Sequence, residues 1–88
     1  MDRELLIWYL DFIIDRLSRK RESGLSDNTL FIISAPPPKE RKIIVYLVRQ
    51  GILTPLKKTC QCVLYSVNEH AAHALLATAT QERNTYDC

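Results

Sequence analysis

The sequence predicts a small, mostly helical domain with a long N-terminal helix, one β-hairpin and a C-terminal helix. Three observations predict this fold class. Residues 3–21 carry apolar side chains at helical intervals, and residues 38–50 divide into an apolar and a basic helix face. Residues 62–67 form two alternating sets of side chains, as a strand does. Because 88 residues support one core, we expect a single domain over residues 1–88 with a tail from about residue 83.

The first predicted helix covers residues 3–21 and ends at Gly24. Its main apolar stripe consists of Leu5, Leu6, Trp8, Tyr9, Phe12, Ile13 and Leu17. Ile7, Leu10 and Ile14 lie off that stripe, so the apolar arc is wider than one small domain can bury. We therefore expect a homodimer that forms through this helix or the final helix.

A second helix is predicted to begin at residues 25–29, with Ser26 as its N-cap. Leu30, Ile32 and Ile33 would supply its core contacts. A strand over residues 30–34 is the alternative, because the run is short and rich in β-branched residues. The prolines at residues 36–38 then form a stiff turn, and Pro37 or Pro38 suits the first position of the next helix.

The third predicted helix has two distinct faces and ends at Gly51. Its basic stripe is Lys39, Lys42, Tyr46 and Arg49, and its apolar side is Ile43, Ile44, Leu47 and Val48. Two strands follow at residues 52–55 and 60–67, joined by a turn that carries Lys57 and Lys58. Asn68 is expected to cap a final helix over residues 69–82, whose inner side would be Ala71, Ala74, Leu75 and Ala79.

Positive charge is concentrated in the middle of the chain. The formal net charge is only +2, but residues 34–68 carry +5, with Glu40 as their one acid. Residues 1–33 carry −1 and residues 69–88 carry −2. A basic helix beside a basic hairpin is typical of a surface that binds a polyanion.

The predicted order of helix, helix, proline turn, helix, glycine, strand, turn, strand resembles the winged helix-turn-helix family of DNA-binding domains. The resemblance covers residues 25–68 most closely. Residues 43–53 resemble the end of that family's recognition helix, and residues 62–67 resemble its returning wing strand. In size and layout the chain is similar to the small pilus-operon regulators of enteric bacteria. Two departures are Glu40 near the start of the recognition helix and the run of three prolines before it.

The resemblance implies a dimeric transcriptional regulator that binds double-stranded DNA in a sequence-specific manner. Its expected DNA-binding residues are Lys39, Arg41, Lys42, Tyr46, Arg49, Lys57 and Lys58. The main alternative is a small protein-interaction module, such as a phage-encoded inhibitor or an adaptor, and structured RNA is a further possible ligand. The apolar N-terminal segment is too short and too often interrupted by acids to span a membrane, so we expect a cytoplasmic protein.

The remaining candidate residues for chemistry are few. Cys60 and Cys62 together with His70 and His73 have the ligand types of a zinc site, but a spacing that zinc sites rarely use. Inert cysteines and surface histidines are the interpretation we favour. With two glycines and no nucleophile motif, the sequence predicts no enzyme, no cofactor and no small-molecule substrate.

Overall fold

The computed structural model describes residues 2–25 and 27–86. Along this part of the chain lie α1 (Arg3–Glu22), β1 (Thr29–Ile33), α2 (Pro38–Arg49), β2 (Leu53–Lys58), β3 (Cys62–Val67) and α3 (Glu69–Tyr86). The strands form an antiparallel sheet in the order β1-β3-β2, so β1 and β2 are its edges. This α+β arrangement agrees with the coarse prediction of a mostly helical domain with one hairpin and long terminal helices.

The ends of α1 have ordinary physical causes. The side chain of Asp2 accepts hydrogen bonds from the backbone N–H groups of Glu4 and Leu5, which caps the first turn. Gly24 has a φ of 88°, and the N–H of Leu25 donates to the carbonyl of Lys20 at 2.8 Å. This is the glycine-dependent way of ending a helix. The predicted helix over residues 3–21 and its stop at Gly24 are confirmed.

The predicted second helix is wrong, and the strand alternative is confirmed. Residues 29–33 form β1, which pairs with β3 from Thr29 opposite Ser66 to Ile33 opposite Cys62. Leu30 and Ile32 are buried while Phe31 and Ile33 are exposed, which is the two-residue period of a half-buried strand. Ile33 is therefore not a core residue, and the predicted cap Ser26 lies outside the described residues. The proline turn consequently joins a strand to α2 rather than one helix to another.

The hairpin differs from its prediction in the position of the turn. Lys57 and Lys58 belong to β2, opposite Leu64 and Val63 on β3, and the turn lies beyond them. Thr59 closes that turn, because its N–H donates to the carbonyl of Cys62 at 2.8 Å and its hydroxyl accepts from the N–H of Cys62 at 3.0 Å. A register shift between Pro55 and Lys57 inserts one extra residue into β2 relative to β3.

The core lies between the sheet and the helices. Its largest fully buried side chains are Leu10, Ile13, Leu17, Ile43, Leu47 and Leu53. α1 packs against α3, α2 and β1, while α2 packs against β2. The prediction placed Trp8 on the main apolar stripe and Leu10 off it. The structure reverses the two, since Leu10 is fully buried and Trp8 is 54% exposed.

α3 begins as predicted and continues further. The side chain of Asn68 accepts from the N–H of Ala71 at 3.2 Å, which confirms the expected cap. Ala72 and Ala79 are buried, whereas Ala74, which the sequence placed on the inner side, is exposed. The helix extends to Tyr86, beyond the predicted start of the tail at residue 83. Residues 87 and 88 lie outside the described part of the chain.

Candidate nucleic-acid interface

α2 presents a basic face because most of its apolar residues pack on the other side. Ile43, Ile44 and Leu47 are buried against the core. Lys39, Arg41, Lys42 and Arg49 are exposed. Pro38 occupies the first turn, where its missing N–H costs nothing, and Gly51 has a φ of 77° just after the helix. The two ends of the basic helix are thus fixed by the residues that the sequence indicated.

The predicted stripe of α2 requires one correction. Tyr46 is half-buried and packs against the core, so its ring is not freely available to a ligand. Val45, at 44% exposure, lies on the exposed side with Arg41, Lys42 and Arg49. The exposed surface of α2 is therefore a set of cations around one small apolar side chain.

The two lysines of β2 point to opposite faces of the sheet. Lys58 lies opposite Val63, which is itself opposite the buried Ile32, so Lys58 is on the face that the helices cover. Lys57 lies opposite Leu64, whose other partner is the exposed Phe31, and is therefore on the open face. Only Lys58 shares the side of the sheet on which α2 packs.

Six exposed cations of α2 and β2 have no carboxylate partner among the described residues: Lys39, Arg41, Lys42, Arg49, Lys57 and Lys58. The single acid of this segment, Glu40, is half-buried and lies close enough to Tyr9 to act on its ionisation. We name these six residues the basic surface. Its charge is not neutralised internally, so it is available to an anionic partner.

Two tyrosines and one aspartate have shifted pKa values. Burial, with a smaller contribution from the neighbouring charge of Glu40, raises the pKa of Tyr9 to about 12. Burial also raises the pKa of Tyr65. A hydrogen bond from Lys20 holds the pKa of the Asp27 carboxyl below its usual range. None of these three residues belongs to the basic surface.

The cysteine and histidine residues are not brought together. Cys60 and Cys62 lie at the hairpin turn, and His70 and His73 lie in the first turns of α3. The length of β3 separates the two pairs, which is about 16 Å for five residue steps of a strand. Among the described residues, no group of three or more His, Cys, Asp or Glu side chains is placed to hold a metal ion.

Sequence reasoning missed a groove between α1 and the free edge of β1. One cavity of about 260 Å³ there is lined by Trp8, Phe12, Ile33 and Pro36 among others. A second of about 340 Å³ continues from it past Arg16 and Phe31 to Leu25. We name this feature the β1–α1 groove. The alternation of residues 30–33 indicates only that Phe31 and Ile33 lie on the face opposite to Leu30 and Ile32 in a strand, and it does not place α1 beside them.

Comparison with known proteins gives no match: no protein-family model, no curated protein and no solved structure is similar to this chain. Within residues 2–25 and 27–86, no helix combines the length and the apolar character needed to cross a membrane.

Proposed function

We propose that this protein binds double-stranded DNA through its basic surface and acts as a transcriptional regulator. The observation that carries the proposal is the set of six exposed cations on α2 and β2 that have no carboxylate partner within the described part of the chain. Neutralising phosphates with such side chains releases condensed counterions, which gives affinity for any duplex. The proposed function is binding alone and includes no catalytic step.

The winged-helix arrangement stays a proposal that rests on part of its expected element order. A basic helix followed by a glycine and a hairpin is present in α2, β2 and β3, and it is the portion that the proposal uses. The preceding helix of a helix-turn-helix pair is replaced by β1. In the proposed complex α2 therefore approaches the major groove by its exposed face, without a partner helix that crosses the backbone.

Each part of the basic surface has a distinct proposed role. Arg41, Lys42 and Arg49 are central on the exposed side of α2, so base contacts fall to them. Lys39 and Lys58 lie at the margins and would contact phosphates, with Lys57 reaching the backbone from the other side of β2. Tyr46, half-buried against the core, would support α2 rather than read a base.

Dimerisation is part of the proposal, because two copies related by a two-fold axis read two half-sites. Ile7 and Ile14 on α1 are only partly buried and lie outside the β1–α1 groove, so they leave apolar area for such an interface. A mass of two chains by light scattering at micromolar concentration supports it, and a monomeric mass removes it.

The experiment that tests DNA binding is a double substitution, Lys42→Ala with Arg49→Ala, compared with the wild type in an electrophoretic mobility assay. Both side chains are exposed, so thermal stability should be unchanged while affinity for duplex DNA falls about tenfold or more. The matched control is Arg16→Ala with Arg19→Ala, which removes two exposed cations of α1. Equal DNA affinity in the wild type and the Lys42/Arg49 variant contradicts the proposal.

A second candidate function, a protein-interaction module, is favoured by a separate observation. Phe31 and Ile33 are 58% and 65% exposed and line a cavity together with Trp8. Exposed apolar side chains of this kind contribute nothing to contacts with phosphates, but they suit contact with another protein.

A further inference from the structure

The two edges of the sheet are protected to different degrees. β2 carries the devices that keep an edge from pairing with other chains: Pro55, a register shift after it, and the charged Lys57 and Lys58. β1 has the sequence Thr-Leu-Phe-Ile-Ile, with no charge, no proline and no register shift. An apolar and regular edge strand is open to pairing with another extended segment.

The backbone groups that face this edge can be assigned. The N–H of Val67 donates to the carbonyl of Asn28, and the N–H of Ser34 donates to the carbonyl of Gln61. In an antiparallel pair the residues that bond to the partner alternate, so Leu30 and Ile32 also face β3. Thr29, Phe31 and Ile33 therefore direct their N–H and C=O groups away from the sheet.

One end of the edge is already occupied. The ammonium group of Lys20 donates to the carbonyl of Thr29 at 2.7 Å. The N–H and C=O groups of Phe31 and Ile33 have no partner of this kind among the described residues. The open part of the edge thus begins at Phe31 and runs toward the proline turn.

α1 supplies a row of side chains alongside that open edge. Trp8, Phe12 and Arg16 follow one another at i, i+4 and i+8, so they repeat about every 6 Å along the helix. The rings of Trp8 and Phe12 stack with centroids 5.7 Å apart, and the Arg16 guanidinium lies 5.6 Å from the Phe12 centroid. Alternate side chains of an extended strand repeat about every 6.6 Å, which nearly matches this row.

Charge varies along the groove. Arg16 lines both cavities and has no carboxylate partner among the described residues, while Arg19 and Lys20 line the second cavity beside it. Glu40 lies at the opposite, aromatic end.

We propose that the β1–α1 groove binds an extended segment of a partner protein that pairs with β1 as a fourth strand. Its apolar side chains contact Trp8 and Phe12, and an acidic side chain pairs with Arg16.

A second copy of this chain fits the groove less well than such a peptide. If two β1 strands paired across a two-fold axis through Phe31, the Arg16 side chains of both copies would lie across the same seam. The uncompensated guanidinium groups would then repel each other, whereas an acidic partner neutralises one of them. This inference concerns a different surface from the basic surface and does not depend on DNA binding.

A charge-swap titration tests the partner's chemistry. The probes are fluorescein-labelled peptides in which valine and phenylalanine alternate with threonine, carrying a glutamate at one end, and the same peptides with lysine instead. We expect the glutamate peptide to bind the wild type and to lose about tenfold affinity for Arg16→Glu. The lysine peptide should bind Arg16→Glu better than it binds the wild type. Arg3→Glu, a matched charge reversal at an exposed residue of α1 that lines neither cavity, should leave both affinities unchanged.

Hydrogen exchange tests the pairing itself. In the free protein the amides of Leu30 and Ile32 should exchange slowly and those of Phe31 and Ile33 quickly. Saturating glutamate peptide should slow Phe31 and Ile33 selectively. The proposal is overturned if neither peptide binds, or if binding leaves these two amides unchanged. Protection of Phe31 and Ile33 in the free protein that rises with protein concentration also overturns it, because a second copy then occupies the edge.

Discussion

The ammonium group of Lys20 hydrogen-bonds to the backbone carbonyl of Thr29 at 2.7 Å and so joins the last turn of α1 to the first residue of β1. The same ammonium group pairs with Asp27, whose carboxyl has a lowered pKa because of that hydrogen bond. One side chain thus connects the helix, the connecting segment and the edge strand. The Lys20 side chain is only 27% exposed, so these contacts are partly shielded from water.

Replacing this lysine should weaken the fold measurably. Lys20→Met keeps the apolar stem but removes the donor to Thr29, and we expect the free energy of unfolding to fall by about 1–2 kcal/mol. Arg19→Met is the matched control, because the Arg19–Asp15 pair is exposed and contributes about 0.5 kcal/mol or less. Urea denaturation followed by circular dichroism measures both. Equal losses in the two variants would show that the contact with Thr29 contributes nothing.

The orientation of α2 can be tested through two apolar residues of that helix. Leu47 is fully buried, so Leu47→Ala should lower the free energy of unfolding by about 2–5 kcal/mol. Val45 is 44% exposed on the opposite side, and Val45→Ala should change it by less than about 1 kcal/mol. The same urea titration reports both values. If Val45→Ala proved the more damaging, the basic face would be turned toward the core and the DNA-binding proposal would lose its surface.

Stability should fall at high pH because of Tyr9. Its pKa is 10.0 in the unfolded chain and about 12 in the folded protein. Below pH 10 the hydroxyl is protonated in both states, so the full free energy of unfolding is present. Between pH 10 and 12 the unfolded state releases the proton first, and the free energy of unfolding falls by about 2 kcal/mol from this residue. Tyr65 adds to the loss in the same direction. Tyr9→Phe should flatten the decline in thermal melts over this range, and identical slopes in the two proteins would refute the assignment.

Periodicity and capping residues predicted much of the fold. α1 and α2 begin and end near the predicted residues, and α3 begins at the predicted residue, because Asp2, Gly24, Gly51 and Asn68 act locally. The sequence favoured a helix where β1 lies, because a short β-branched run can be helical or extended and its packing partner determines which. Here pairing with β3 makes the run a strand, and the paired residues lie 29 to 37 positions apart in the chain. Local pattern could not supply that contact.

The basic surface was largely foreseeable, and the β1–α1 groove was not. Charge along the chain identified Lys39, Arg41, Lys42 and Arg49, since these cations share a helix with a clear apolar side. Tyr46 was misplaced because a tyrosine at the margin of a helix face can turn its ring to the core. The groove needs Trp8 and Phe31, which are far apart in sequence and become neighbours only when β1 pairs with β3.

The salt dependence of DNA binding tests the central claim most directly. Fluorescence anisotropy with a random-sequence duplex at several salt concentrations gives the slope of log K against log salt. A random-sequence duplex offers no specific site, so Arg41, Lys42 and Arg49 contact phosphates there together with the three lysines. We therefore expect a slope of about −3 to −5 for the wild type, and a slope smaller in magnitude by about 2 for Lys42→Ala with Arg49→Ala. The control variant Arg16→Ala with Arg19→Ala should keep the wild-type slope. No binding at low salt, or the same slope in all three proteins, would contradict DNA binding by the basic surface.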